Sequence, residues 1–356
     1  MRVHNFNAGP AILPEPVLEE ASASVKDFNK IGMSILEISH RSKDFQSVMD
    51  EAAALTTELM GLPENYHVLF LQGGASTQFA MVPMNLLNKE EKAGYVNTGT
   101  WSKKAIKEAK ALGNIEVLAS SEETTFNYIP KGYAIPDDLR YLHLTSNNTI
   151  YGTQFQEFPE TSVSKIVDMS SDIFSREIDH SQFDLIYAGA QKNLGPAGTT
   201  LVVINNDILK DADHHIPAMF KYQTHIDGQS MYNTPPVFAI YVSMLTMRWL
   251  KKNGGLSAME SLNRKKADVL YSAIDSNPLF KGTVAKEDRS IMNVNFIMED
   301  RSLEPDFLEF TKAHQCIGLN GHRSVGGFRA SMYNALPIDS VEYLVELMNE
   351  YTQKRG

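Results

Sequence analysis

Two stretches of this sequence combine residue types that can do chemistry. The first is Ala188-Gly189-Ala190-Gln191-Lys192-Asn193-Leu194-Gly195-Pro196-Ala197-Gly198, which follows an apolar strand pattern ending at Tyr187. It is nearly free of bulk apart from one lysine, so a planar carbonyl cofactor has room to approach Lys192 and form an imine. An exposed loop lysine is the alternative. Upstream, Asp168 ends the apolar run Lys165-Ile166-Val167, the strand end at which open α/β sheets place ligand groups. A carboxylate there favours a protonated pyridine nitrogen, and a helix cap is the competing use. The second stretch is Gln72-Gly73-Gly74-Ala75-Ser76-Thr77, between the strand pattern His67–Leu71 and a helical one. Its glycines and helix start suit a phosphate, although a tight turn capped by Ser76 explains the same residues. It fits neither the Walker A pattern nor the dinucleotide fingerprint.

Further candidates are basic or lie at a helix start. Thr234 suits an N-cap with Pro235 at the first helical position, which makes either a second anion site or simple capping. His40-Arg41 and His322-Arg323 pair imidazole with guanidinium, and Arg329 lies in an apolar strand pattern. Arginine forks match carboxylate and phosphate geometry, whereas surface solvation accounts for each residue separately. Three features point elsewhere. Asp211, Asp213, His214 and His215 resemble a metal cluster, but adjacent histidines do not share a helix face, so no metal is expected. Cys316 reads as a small buried hydrophobe, and Ser170-Ser171 lacks a nucleophile elbow.

The elements that must position these groups follow from apolar periodicity. Strands are predicted at His67–Leu71, Gly94–Val96, Ile115–Leu118, Tyr141–Leu144, Lys165–Asp168, Asp184–Tyr187 and Thr200–Ile204. Most lack polar alternation, as strands covered on both faces do. Helical spacing fills the gaps at Val17–Lys30, Ser47–Met60, Ser76–Leu87 (with a kink at Pro83) and Ser102–Leu112. The pattern predicts an α/β fold with a mainly parallel sheet. Helices at Pro235–Lys252 and Leu256–Asp275 then lead to strands at Ile291–Ile297 and Phe328–Met332 and helices at Glu304–His314 and Ser340–Lys354, a smaller α+β unit. The expected division is a large domain over 15–254 and a small one over 255–356, with the arm 1–14 joined to the latter.

Composition bounds the function. The chain has 356 residues, with 33 Lys+Arg against 43 Asp+Glu and a net charge of −10, which disfavours nucleic acid and anionic membranes as partners. One cysteine excludes a disulfide framework or a Cys-cluster metal site. The opening residues carry no secretory apolar run, and Pro235–Leu250, the most apolar segment, is interrupted by Arg248 and too short to span a membrane. The expectation is a cytoplasmic protein.

Six ordered motifs resemble the phosphoserine aminotransferases, pyridoxal-phosphate enzymes of fold type I in the class V branch. They are Phe6-Asn7-Ala8-Gly9-Pro10-Ala11, Ser39-His40-Arg41, Phe70 to Ser76, Tyr187 to Asn193 with Gly195 to Gly198, Asn233-Thr234-Pro235-Pro236, and Gly321-His322-Arg323 running on to Phe328-Arg329-Ala330-Ser331. The resemblance implies a seven-stranded large domain and one pyridoxal 5'-phosphate per subunit, joined by an imine to Lys192. Asp168 would pair with the pyridine nitrogen, Trp101 would stack on the ring, and Thr149 would lie beside the ring hydroxyl. Ala75, Ser76 and Gln191 would hold the phosphate, with Asn233 and Thr234 reaching in from the other subunit of a homodimer. Arg329 would take the substrate α-carboxylate, and His40, Arg41, His322 and Arg323 the distal anion. Some members place Gly-Arg where this chain has Ala75-Ser76, which shifts more of the distal anion's binding onto those four residues. The implied reaction exchanges the amino group between glutamate and 3-phosphohydroxypyruvate in serine biosynthesis, with the phosphohydroxythreonine pair of pyridoxine biosynthesis as a second substrate in some relatives. Two readings compete: an aminotransferase for substrates lacking a distal phosphate, and a non-catalytic nucleotide-binding module built on the Gly73-Gly74 turn.

Overall fold

The computed structural model describes residues 2–209 and 216–355. Asp211, Asp213, His214 and His215 lie outside the described residues. In chain order the first elements are β1 (His4–Asn5), α1 (Glu15–Lys26), α2 (Lys43–Met60), β2 (Tyr66–Leu71), α3 (Gly74–Leu86), β3 (Lys92–Asn97), α4 (Thr100–Lys110) and β4 (Asn114–Ser120). Then come β5 (Leu142–Thr145), β6 (Lys165–Asp168), β7 (Leu185–Gly189), β8 (Thr200–Asn205), α5 (Tyr222–Asp227), α6 (Val237–Lys252) and α7 (Gly255–Ser276). The chain continues with β9 (Phe280–Gly282), β10 (Asn293–Met298), α8 (Glu304–Ala313), β11 (Cys316–Ile317), β12 (Phe328–Ser331) and α9 (Ile338–Arg355).

The seven-stranded sheet has the order β2-β8-β7-β6-β5-β3-β4. Only β8 runs against its neighbours, antiparallel to both β2 and β7; the remaining pairs are parallel. Successive side chains feed opposite cores, which is why the strands read as continuous apolar runs. In β7, Leu185 and Tyr187 face α3 and α4, while Ile186 and Ala188 face α2 and α6. In β6, Ile166 and Val167 divide in the same way. The parity places Asp168 on the α3/α4 side, two residues beyond Ile166.

Local signals fix several ends. Ser42 Oγ accepts from Phe45 N at 3.2 Å and Gly61 closes α2 with φ 61°, an N-cap and a left-handed stop. The helix expected at Val17–Lys30 stops at Lys26, because Asp27 turns extended (φ −154°, ψ 99°), and a short 3₁₀ turn with a left-handed Asn29 (φ 48°) follows. Helix α3 continues through Pro83 to Leu86. Thr234 is not an N-cap: α6 begins at Val237, after Pro236 at the cap position. Two consecutive prolines lack N–H groups and restrict the residue before each, which delays the helix.

A third core gathers the C-terminal elements. Antiparallel β12-β10-β9 packs with α7, α8 and α9 around Phe280, Phe296, Phe307 and Phe328, whose rings meet at 5.0–6.3 Å. Phe6 and Ile12 of the N-terminal arm enter this core, and β1 pairs in parallel with β11. These short strands, and the three-residue β9, have too few residues to show a period in the sequence.

Candidate active site

One edge of the large sheet collects the candidate residues. Gly73 follows β2, Trp101 follows β3, Thr149 follows β5, Asp168 ends β6 and Lys192 follows β7, all at carboxyl ends of strands pointing the same way. Lys192 is 8% exposed, and its Nζ donates to Thr149 Oγ1 at 2.6 Å. The same Nζ lies 5.8 Å from the centre of the Trp101 ring. Burial pushes its amine down to about 8, with Arg329 adding to the shift and Asp168 and Asp172 opposing it. A lysine so poised is far more often neutral near pH 8 than a solvated one.

Asp168 is 4% exposed, and its Oδ1 accepts the Ser170 N–H at 2.9 Å. Burial raises its pKa, against the Ser170 hydrogen bonds and the Lys192 charge. A carboxylate buried with so little compensation gains from a cationic partner. At the β2–α3 turn, Gly73 stands at the N-cap in a left-handed conformation (φ 93°), and no side chain caps the helix. Ser76 is therefore not the cap; it lies in the first turn with Ala75, where backbone N–H groups lack intrahelical partners. A Cβ on Gly73 would meet Thr77 Oγ1 at 2.0 Å, so the turn closes only on glycine.

These residues fit pyridoxal phosphate. An aldehyde needs the amine of Lys192, a pyridinium needs the Asp168 carboxylate, and an anionic tail suits the uncapped start of α3. Trp101 Nε1, Thr145 Oγ1 and Arg329 Nε are buried without a hydrogen-bond partner, so polar groups remain available to cofactor and substrate.

The basic candidates divide. Arg329, on β12, lies close enough to depress both Lys192 and His322. His322 Nδ1 meets Ser324 Oγ at 2.7 Å, and burial, Arg329, Arg323 and Lys104 together lower its pKa. Lys104 was not foreseen; its Nζ sits 4.5 Å from the Trp101 ring centre. His40 and Arg41 lie before α2, with Arg41 exposed and its N–H on Ser39 Oγ at 3.2 Å. Among the described residues, no hydrogen bond or ion pair joins them to the Lys192 group. Asn233 and Thr234 are exposed, Gln72 Nε2 donates to the Thr234 carbonyl at 2.7 Å, and Asn233 borders a cavity of about 440 Å³ shared with Gly73 and Thr77. The Gln191 carbonyl accepts from Ala11 N at 2.9 Å, which draws the arm over the lysine loop.

Sequence reasoning missed several supports. Asp172 is buried, bonded to Ser146 Oγ and to Gln154 Nε2 (3.0 Å), and Ser146 also donates to the Asp168 carbonyl at 2.9 Å. The run Asp168-Met-Ser-Ser-Asp172 was the available signal. Tyr333, four residues past Arg329, donates to the Ala8 carbonyl at 2.7 Å and accepts from Asn293 Nδ2 at 3.2 Å. Cys316 is buried with its thiol pushed up to about 12, in keeping with an inert hydrophobe. Among the described residues no group of His, Cys, Asp or Glu could hold a metal ion, and no helix is long and apolar enough to cross a membrane.

Known proteins match along the whole chain. The class V aminotransferase family model matches residues 3–344. Phosphoserine aminotransferase of Flavobacterium johnsoniae is 57% identical over 355 residues, covering 99% of this chain and 100% of that protein. The solved phosphoserine aminotransferase from Bacillus circulans subsp. alkalophilus superposes with TM-score 0.97 at 48% identity, covering 100% of this chain and 99% of that one. The pyridoxal-phosphate-bound enzyme from Trichomonas vaginalis gives TM-score 0.93 at 38% identity, over 98% of this chain and 100% of that one. With its lysine, carboxylate and glycine turn on one sheet edge, the chain belongs to the class V aminotransferases, in the phosphoserine aminotransferase family.

Proposed function

We propose that this chain transfers the amino group between glutamate and 3-phosphohydroxypyruvate, giving O-phospho-L-serine and 2-oxoglutarate for serine biosynthesis. The observation that carries this reading is the buried Lys192 amine, held on Thr149 and flanked by Trp101, Asp168 and Arg329. When bound, pyridoxal phosphate supplies an electrophilic carbon and a ring that accepts the electrons of the substrate Cα–H bond. Lys192 holds and moves the proton, taking it from Cα and returning it on the cofactor side as general base and then acid. Its lowered pKa suits both duties. Asp168 stays anionic beside the ring nitrogen and holds a proton there. Trp101 covers one ring face and excludes water. Ala75, Ser76 and Gln191 bind the cofactor phosphate at the start of α3.

Arg329 grips the α-carboxylate common to both amino donors, and its unpartnered buried Nε supports this role. His322 and Arg323, with His40 and Arg41, take the distal phosphate or carboxylate. The exposure of Arg41, Asn233 and Thr234 supports a homodimer in which Asn233 and Thr234 complete the partner's phosphate site. The separate C-terminal core supports a small domain over 255–356, with the arm 1–14, that carries Arg329 toward a large domain over 15–254. Cytoplasmic placement accords with the lone buried cysteine.

The test is a half-reaction. Phosphoserine added to the cofactor-loaded enzyme should change its visible absorbance and release one equivalent of 3-phosphohydroxypyruvate per site. Equal efficiency with serine would overturn the substrate assignment, and an unchanged spectrum would overturn the enzyme.

A further inference from the structure

Lys266 is a lysine that the reaction does not use, yet it lies in the middle of the C-terminal core. It projects from α7 with 0% exposure. Its Nζ donates to three main-chain carbonyls: Met332 at 3.0 Å, Tyr333 at 2.9 Å and Leu336 at 3.2 Å. An ammonium has three N–H donors, so the set is complete. Burial pushes this amine down to about 7. All three carbonyls are satisfied together only by the protonated amine, since a neutral one has two N–H donors. A charge placed at such cost fixes a geometry that an apolar side chain of the same size would leave free.

What it fixes is the turn after β12. Leu336 N closes that turn on the Tyr333 carbonyl at 2.9 Å. One helical turn before Lys266, Asn263 Nδ2 donates to Asn334 Oδ1 at 2.8 Å and to the Ser175 carbonyl at 2.9 Å. The main-chain N–H of Asn334 in turn donates to Asn193 Oδ1 at 2.9 Å, and Asn193 is the residue next to Lys192. The turn therefore grips the residue next to Lys192.

We propose that Lys266 is a positioning residue for transamination, which sets Lys192 in place by clamping the Met332–Leu336 turn. Lys266 touches neither substrate nor cofactor; it acts through Asn334 and Asn193. A lysine whose only duty was to stabilise the core would leave the chemistry of Lys192 unchanged in any variant that folds. The inference rests on the transaminase reading above.

The experiment compares cofactor-loaded wild-type enzyme with Lys266→Met, Asn193→Ala and the double variant. Amide exchange measured across 328–340 should speed up about tenfold in Lys266→Met. The pH midpoint of the visible absorbance band should move by about half a unit or more, a readout that needs no turnover. With phosphoserine, kcat should fall about tenfold while KM stays within about threefold, and the double variant should be no worse than the weaker single, because both cut one path. A folded Lys266→Met with the wild-type midpoint and kcat would overturn the proposal, as would multiplicative losses in the double variant. Should Lys266→Met not fold, Asn193→Ala decides, and an unmoved midpoint there overturns it. Wild-type enzyme inert toward phosphoserine would defeat the substrate reading instead, and the exchange and midpoint measurements would still judge Lys266.

Discussion

Lys192 Nζ rests 2.6 Å from Thr149 Oγ1, so the amine that follows β7 is oriented by a hydroxyl from the loop after β5. Two strand ends separated only by β6 thereby meet in one hydrogen bond. The pairing fixes where the lysine points; its burial fixes when it is neutral.

The pH dependence follows with a definite sign. Only the neutral amine adds to an aldehyde, and Lys192 is held near 8 instead of its usual 10.5. In enzyme stripped of cofactor, the rate of recombination with pyridoxal phosphate should rise through pH 8 and level off about one unit above it. Stopped-flow absorbance from pH 6.5 to 10 checks this. A rate still climbing at pH 10 would place the lysine in solvent.

Replacing Asp168 by Asn keeps the size and the acceptor for Ser170 N–H but removes the charge. Cofactor should still bind, while kcat should fall by about 10²–10³, the usual loss when preorganised electrostatic stabilisation is removed. The half-reaction with phosphoserine reads this directly. Undiminished turnover would mean that the ring nitrogen does not need a carboxylate here.

Arg329 and the distal basic residues should separate kinetically. If Arg329 is the α-carboxylate partner shared by both donors, Arg329→Leu should raise KM about 10–100-fold for phosphoserine and glutamate alike. Arg323→Leu should instead weaken phosphoserine and glutamate binding while leaving short donors such as alanine unaffected. Parallel steady-state measurements on the three donors distinguish the two patterns.

The sheet and its strand ends were legible because covered strands carry unbroken apolar runs: Lys165–Asp168 was placed residue for residue. Lys192, Asp168 and the Gly73 turn were legible because small residues and a strand-end carboxylate leave a local trace. Thr234 misled because a threonine before Pro-Pro looks like a cap, whereas the prolines postpone the helix. Lys266 and His143 left no trace, since their meaning comes from partners far along the chain. His143 is a case in point. Its Nε2 meets Tyr187 OH at 2.8 Å, its ring stacks on Tyr95 at 4.7 Å, and burial pushes it down to about 3. Nothing near His143 in the sequence signals that neutral, buried state.

Gly73→Ala tests the phosphate turn. The new methyl group requires a left-handed non-glycine residue, which costs about 1–2 kcal/mol, and it collides with Thr77, breaking the Thr77 Oγ1 bond to the Gly73 carbonyl (2.9 Å). The start of α3 should shift, and the dissociation constant for pyridoxal phosphate should rise about tenfold or more. Fluorescence titration of cofactor-free enzyme measures it. Wild-type affinity would move the phosphate away from this turn.

The last prediction concerns sharing of the site between chains. Gln72 holds the Thr234 main chain beside its own Gly73 turn, while the side chains of Asn233 and Thr234 are exposed. If those side chains serve the partner's cofactor, a chain carrying Asn233→Ala and Thr234→Ala cripples its partner's site and not its own. A Lys192→Ala chain is inert in its own site but still donates intact Asn233 and Thr234. Mixing the two inactive proteins should then create one working site per heterodimer, up to about a quarter of wild-type activity at random equal exchange, since half the dimers are hybrids with one good site of two. Subunit exchange confirmed by native mass spectrometry with no recovery of activity would mean that each chain builds its phosphate site alone.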